Sequence, residues 1–160
     1  MSTDIQTTAN QFKFNNGLFD RIVQGIPSEH WLTQPADDCN HLLWVTGHMT
    51  VVRAVALNIL GAPWSAPWQN MFKRGVKRVS NDQYPPVAEI ENAWREVAER
   101  LLATLPQASP ELLTKPVEKN RPSIDGTVGG TIGFLCLHES YHLGQMGFIR
   151  KMLGYGQAIG

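Results

Sequence analysis

An all-α four-helix bundle is the fold that the sequence predicts, and three observations lead to it. Four segments place apolar residues three and four positions apart, which is the repeat of a helix with one buried face. No segment shows the polar–apolar alternation of a half-buried strand. The chain has 160 residues, 42% of them hydrophobic, which suffices for one core but hardly for two. We therefore expect a single domain over residues 1–160.

The first two predicted helices are bounded by residues that stop or start helices. The first covers residues 7–26 and ends at Pro27, because proline lacks the backbone donor that a helix needs. The second begins near Asp37 or Asp38, either of which is a good N-cap, and ends at Gly61. The apolar faces consist of Phe12, Phe19, Ile22, Val23 and Ile26 in the first helix and Leu42, Val45, Met49, Val52, Ala56 and Ile59 in the second.

The third and fourth predicted helices follow long connecting segments. The third begins after Pro86 and ends before Pro106, and the fourth runs from about Thr131 to Gly154. Connections as long as residues 62–86 and 106–130 are either functional or locally structured. The first of them is predicted to form a lid over one end of the bundle, with Trp64, Trp68, Met71 and Phe72. In the second, the sequence Ser109-Pro110-Glu111 predicts an N-cap and a short helical turn.

Charge and composition exclude several classes of partner. Fourteen basic and fourteen acidic residues cancel, so no electrostatic surface for nucleic acid or an anionic membrane is expected. The first ten residues do not resemble a secretion signal, and no run of eighteen apolar residues occurs. Cys39 and Cys136 do not form a disulfide framework, and we expect both to be buried thiols. The sequence therefore predicts a cytoplasmic protein with a small-molecule partner.

Two histidines stand four residues apart in the fourth helix, within His138-Glu139-Ser140-Tyr141-His142. Four residues turn a helix by about 400°, so both side chains lie on one face, one turn apart, and can bind one ion. The alternative is a chance pair of exposed or hydrogen-bonded histidines.

A third histidine occurs at a matching depth in the second helix. His48 lies beside Val45 and Val52 on the apolar side of that helix. A lone buried histidine is usually a hydrogen-bonded core residue, but here its level agrees with that of the pair to within a few ångström, by the rise of about 1.5 Å per residue. Three imidazoles plus an open position are typical of a catalytic metal site.

The fourth helix also contains the zinc-protease signature H-E-x-x-H, in which Glu is the general base and a third ligand usually follows. After His142 the chain contains no His, Asp or Glu, which argues against a protease. Glu139 is a candidate proton acceptor near the metal, and a solvated or interface carboxylate is the alternative. Gln145 is a candidate to hydrogen-bond a ligand or a histidine, because it follows His142 by three residues and His138 by seven.

Three further observations are weaker. His41, two turns before His48, either lines a pocket entrance or is a partly exposed residue at the start of the helix. Tyr141, Trp44, Trp64 and Trp68 either form a pocket wall or pack in the core and lid.

Together these residues resemble the DinB-like family of bacterial metal-binding four-helix bundles, over nearly the whole chain. The resemblance is carried by Trp44-Val45-Thr46-Gly47-His48, by His138-Glu139-Ser140-Tyr141-His142-Leu143-Gly144-Gln145, and by Ile149-Arg150-Lys151-Met152-Leu153-Gly154. It implies an up-down-down-up bundle with a long crossover after the second helix, a homodimer, and a divalent metal bound by His48, His138 and His142. Characterised members are transferases and isomerases that use low-molecular-weight thiols such as bacillithiol, mycothiol or glutathione.

We therefore expect a metal-dependent S-transferase for low-molecular-weight thiols, or a related hydrolase, with zinc as the first choice of ion and nickel as the next. The ion would lower the pKa of a thiol or water at the open position. A bundle that binds a metal or small ligand without catalysis is the alternative function.

Overall fold

Four long helices and one short helix make up the fold of the computed structural model, which describes residues 4–159. The long helices are α1 (Ile5–Val23), α2 (Leu42–Ile59), α3 (Val87–Thr104) and α5 (Val128–Met152), and α4 (Pro110–Leu113) is a single turn. No β-strand occurs among these residues. The all-α fold predicted from the apolar spacing is therefore confirmed.

The long helices pack as a closed ring, in which α1 contacts α5 and α3, and α2 contacts α3 and α5. Their buried side chains form two core clusters. The C-terminal halves of α1 and α5 and the N-terminal halves of α2 and α3 lie in one cluster, and the opposite halves lie in the other. Thus α1 and α5 run in one direction and α2 and α3 in the other.

The predicted start of α2 is wrong, because the helix begins at Leu42 and not near Asp37 or Asp38. Its N-cap is His41, whose Nδ1 accepts a hydrogen bond from the Trp44 amide at 3.1 Å. Both aspartates lie in a turn before the helix, and their side chains are exposed to solvent. The helix begins at Leu42, the first of a run of apolar side chains that are buried in the core.

Two other boundaries shift by a few residues. α1 ends at Val23, ahead of Pro27, because Gly25 turns the chain with a φ of 76° that favours glycine. α5 begins at Val128 with Thr127 as its N-cap, so Gly129 and Gly130 form its first turn and do not precede it. Elsewhere, α3 begins directly after Pro86 as predicted.

Both long connections contain local structure. Residues 62–86 include the 3-10 turns Gln69–Phe72 and Asn81–Gln83, of which the first packs against α2. Trp68 and Phe72 of this segment are buried. The second connection contains α4, with Ser109 capping the Leu112 amide at 3.1 Å, as the sequence predicts.

α2 is the one described helix that is long and apolar enough to cross a membrane by length and composition. In the fold it is a core helix: 72% of that span is buried, and it contacts both α3 and α5. Packing on two sides explains its apolar composition without a membrane.

Candidate metal centre

Three imidazoles converge between α2 and α5. One potential ligand atom from each of His48, His138 and His142 lies within 4.8 Å of the others. The Nε2 atom of His138 is 3.5 Å from Nε2 of His48 and 3.1 Å from Nε2 of His142. The four-residue spacing on α5 thus places the pair on one face, and α2 contributes the third ring.

The prediction that His48 lies level with His138 and His142 compared their positions within the two helices, and the predicted helix starts used for it were wrong. His48 is the seventh residue of α2, whereas the midpoint of the α5 pair is the thirteenth residue of α5. The rings meet because α2 and α5 run in opposite directions and α5 extends further at its C-terminal end, beyond the level at which α2 begins. The juxtaposition is as expected, although the depths are not.

Hydrogen bonds on the far side of two rings determine which nitrogen is free to bind a metal. Nδ1 of His48 donates to the backbone carbonyl of Phe72 at 2.7 Å, because a carbonyl can only accept. Nδ1 of His142 donates to Oε1 of Gln145 at 2.7 Å, and the amide nitrogen of Gln145 donates to the Tyr141 hydroxyl at 3.1 Å. The network therefore assigns the proton to Nδ1 in both rings and leaves each Nε2 lone pair facing the centre.

The centre is chemically suited to a cation. A proton on Nε2 of His138 can be donated to Nε2 of His48 or to Nε2 of His142, but not to both. At least one of these two nitrogen–nitrogen contacts is therefore left without a hydrogen bond. Nδ1 of His138 is buried and has no hydrogen-bond partner in the described structure. One metal ion would satisfy the converging Nε2 lone pairs of all three rings, and three neutral imidazoles are a typical donor set for zinc, nickel or copper.

Burial keeps these rings uncharged at neutral pH. It lowers the pKa of His48, although the Phe72 carbonyl acts in the opposite direction. Burial also lowers the pKa of His138, helped by the neighbouring His48 and Arg74. For His142, burial outweighs the bond to Gln145 and lowers the pKa to about 4. The neutral form is the one that coordinates a metal.

Segment 62–86 forms part of the centre. The Phe72 ring packs so closely on Gly47 that a Cβ atom at residue 47 would lie 2.5 Å from it, while the Phe72 carbonyl holds His48. Trp44 stacks on the ring of His48, with ring centroids 5.0 Å apart and an interplanar angle of 12°. The predicted lid thus contributes a direct contact to a candidate ligand.

Glu139 does not join the histidines. It is 1% exposed, so the expectation of a solvated or interface carboxylate is wrong. Its carboxylate accepts two hydrogen bonds from Arg53, at 2.5 and 2.7 Å, and one from Asn15 at 2.9 Å. These donors occupy both carboxylate oxygens, so Glu139 is hydrogen-bonded within the core and makes no hydrogen bond to the histidines among the described contacts.

A surface cleft of about 690 Å³ lies beside the centre. Gln145 and Tyr141 line it and connect it to His142 through their hydrogen bonds. Its other walls include Val45, Gly144, Phe148, Ile149 and Cys39. Of the aromatic residues predicted for a pocket wall, Tyr141 lies here, whereas Trp44, Trp64 and Trp68 do not.

Two further expectations need correction. His41 lies at the start of α2, as one alternative has it, but it is buried, at 1% exposure, and its ring caps the helix. Cys136 is buried as expected, but Cys39 is exposed.

Sequence reasoning missed Arg53, Asn15 and the Phe72 carbonyl. Arg53 had a signal, because it is the one Asp, Glu, Lys or Arg within the largely apolar Leu42–Ile59 helix. A backbone carbonyl in a long connecting segment has no sequence signature. Gly47, directly before His48, was the available hint of a close approach.

The fold and the centre define an all-α protein with a cluster of three histidines, two buried and one half-buried, that could hold one metal ion. The sequence matches the family model described as the DinB superfamily over residues 11–146, a range that includes all three histidines. The chain belongs to this superfamily. A comparison with curated proteins gave no match.

Proposed function

We propose that the protein binds one divalent transition-metal ion, zinc in preference to nickel, through His48, His138 and His142. The observation that carries this proposal is the hydrogen bonding of His48 and His142 through Nδ1, which leaves their Nε2 atoms free beside Nε2 of His138. Superfamily membership over residues 11–146 supports it.

We further propose that the bound ion serves catalysis. Three protein ligands leave an open position, and an ion there would lower the pKa of a thiol or water and so supply a nucleophile at neutral pH. The reaction class is the transfer of a low-molecular-weight thiol, or a related hydrolysis. In the transfer, a bond forms between the thiol sulfur and an electrophilic carbon, the leaving group departs with its electron pair, and the thiol proton passes to solvent.

The residues of this chain would orient the reactants. The Phe72 carbonyl and Gln145 fix two of the rings, so the ligand set is preorganised. The cleft beside Gln145 has room for a small molecule, and its aromatic walls, Tyr141 and Phe148, suit an electrophile with an apolar group.

The experiment has two parts and uses protein purified without a histidine tag. Metal content per chain is measured after exposure to zinc and nickel, and a panel of thiols is then assayed with an electrophile. We expect about one ion per chain, activity in the wild type, and loss of both in His48→Ala. His30→Ala is the matched control, because His30 lies outside the cluster.

The outcomes separate the two claims. Trace metal in the wild type under metal-replete conditions would overturn metal binding. Stoichiometric metal with equal rates in the wild type and His48→Ala, for every thiol, would overturn catalysis and favour a metal-binding bundle without enzymatic activity.

A further inference from the structure

A buried ion pair joins the same two helices that carry the three histidines. Arg53 lies on α2, five residues after His48, and Glu139 lies on α5, directly after His138. The guanidinium donates through Nε and Nη2 to the two carboxylate oxygens of Glu139, at 2.5 and 2.7 Å. Both side chains are essentially inaccessible to solvent, at 0% and 1% exposure. The contact is bidentate and directional.

All four long helices meet at this pair. Asn15 of α1 donates to Glu139 at 2.9 Å, and the carbonyl of Phe12, also in α1, accepts from Arg53 at 3.5 Å. The Arg53 guanidinium lies over the ring of Trp94 in α3, 4.0 Å from its centroid. The position of each helix is therefore linked to one rigid, planar group.

Stability alone is a poor explanation for such a pair. Removing two charges from water is costly, and apolar residues of similar volume often give equal or greater stability at such positions. One guanidinium nitrogen, Nη1, is buried without a hydrogen-bond partner in the described structure, which adds to that cost. What a bidentate pair provides, and apolar contacts do not, is a fixed register between two helices.

Register between α2 and α5 is what the metal centre requires. His48 comes from one of these helices and His138 and His142 from the other, with 3.5 Å between the Nε2 atoms of His48 and His138. The hydrophobic effect is non-directional, whereas the two parallel hydrogen bonds of an arginine–carboxylate pair fix the relative position of the groups that they join. A shift of one ångström would spoil the ligand distances.

We propose that Arg53 and Glu139 are positioning residues of the metal centre: their ion pair holds α2 and α5 in the register that brings His48 to the α5 pair. The inference rests on the proposed metal binding. It assigns Glu139 a role through Arg53 and not as a proton acceptor.

The test measures Co²⁺ affinity and the visible spectrum of the Co²⁺ complex in two variants. Arg53→Lys keeps the charge but loses the bidentate fork. The double variant Arg53→Met with Glu139→Leu replaces the pair by apolar side chains and leaves no unpaired charge. Leu57→Ala is the control, because it opens a cavity in α2 one helical turn after Arg53 and leaves both members of the ion pair in place. All proteins are titrated under conditions in which urea unfolding shows them to be fully folded.

We expect both variants to bind Co²⁺ about tenfold more weakly or worse, with an altered spectrum, and Leu57→Ala to bind like the wild type. Wild-type affinity and spectrum in either folded variant would overturn the proposal, as would an equal loss in Leu57→Ala. Failure of both variants to fold would assign the pair to the fold and also overturn it. Absence of Co²⁺ binding by the wild type would overturn the proposed function itself, and this inference with it.

Discussion

Gly47 and Phe72 touch so closely that residue 47 has no room for a side chain, since a Cβ atom there would lie 2.5 Å from the Phe72 ring. In Gly47→Ala the ring must move, and the carbonyl that holds His48 moves with it. Overpacking costs about 1–3 kcal/mol, against a gain of up to about 1 kcal/mol in helix propensity.

We therefore expect Gly47→Ala to lower the free energy of unfolding by about 1 kcal/mol and to weaken metal binding, as measured by urea unfolding and calorimetric titration. Gly17→Ala is the control, because this exposed glycine of α1 has open space around its Cβ position. That change should stabilise the protein slightly. Tighter metal binding in Gly47→Ala would contradict the role given to Phe72.

Gln145 is predicted to act on the metal through His142. In Gln145→Leu, Nδ1 of His142 loses its acceptor, so the proton can move to Nε2 and compete with the ion. Loss of such an orienting partner typically weakens metal affinity about tenfold to hundredfold.

Gln145→Glu keeps an acceptor at the same place and should retain affinity. Both variants are compared by direct metal titration, because Gln145 also lines the cleft and a rate would mix the two effects. Equal affinity in Gln145→Leu and the wild type would show that the hydrogen bond does not orient the ring.

Metal binding should raise thermal stability. A ligand that binds only the folded chain, present at 100 times its Kd, adds about 2.7 kcal/mol, which corresponds to an increase in Tm of roughly 5–10 °C for a chain of this size. Zinc should produce this shift in the wild type, and EDTA should reverse it. His138→Ala should show neither change, and a full shift in that variant would place the ion elsewhere.

His41 predicts a pH dependence of stability. Burial, assisted by the charge of Arg78, lowers its pKa from 6.5 to about 4. Between these two pH values the unfolded chain binds more protons than the folded one. The neutral ring therefore makes its full contribution to the free energy of unfolding above pH 6.5, and this contribution is lost as the pH falls toward 4.

His41→Asn keeps an N-cap acceptor but does not titrate in this range. When the pH falls from 7.5 to 5, we expect the free energy of unfolding of this variant to decrease by about 2 kcal/mol less than that of the wild type, because of the pKa shift of His41. Urea unfolding of the metal-free proteins measures this difference, because the three site histidines contribute equally to both. If the free energy of unfolding of the wild type and of His41→Asn depended on pH in the same way, the predicted pKa effect of His41 would be refuted.

The homodimer implied by the resemblance is tested on α5. Four large apolar side chains are exposed along one face of this helix, at 63%, 64%, 59% and 56%: Leu137, Tyr141, Phe148 and Met152. If copies pair through this face, Phe148→Glu should give monomers in analytical ultracentrifugation. Phe14→Glu, on an equally exposed phenylalanine of α1, should leave the assembly unchanged.

The helices could be predicted because their faces follow local spacing and their ends follow proline and glycine. The start of α2 could not, since Asp37 and Asp38 are better caps by residue type than His41. The cap depends on where the first side chain meets the core, and that is a tertiary property.

For the site, the spacing of His138 and His142 sufficed to predict a shared face. The meeting with His48 followed from an argument on depth whose helix starts were wrong, so spacing within one helix is the more reliable guide. The pairing of Arg53 with Glu139 spans α2 and α5, and the Phe72 carbonyl belongs to a segment without periodicity. Arg53 and Gly47 signal that a partner or a close approach is needed, but which residue meets them is decided by the three-dimensional arrangement.

The stack of Trp44 on His48 gives the protein an internal optical reporter. Paramagnetic ions such as Cu²⁺, Co²⁺ or Ni²⁺ quench indole fluorescence at short range. The binding of such an ion beside His48 would therefore decrease the fluorescence of Trp44. Occupancy could then be followed in real time with no added dye, and competition with zinc, which does not quench in this way, would rank the ions. Trp44→Phe would remove the signal and leave the ligands in place.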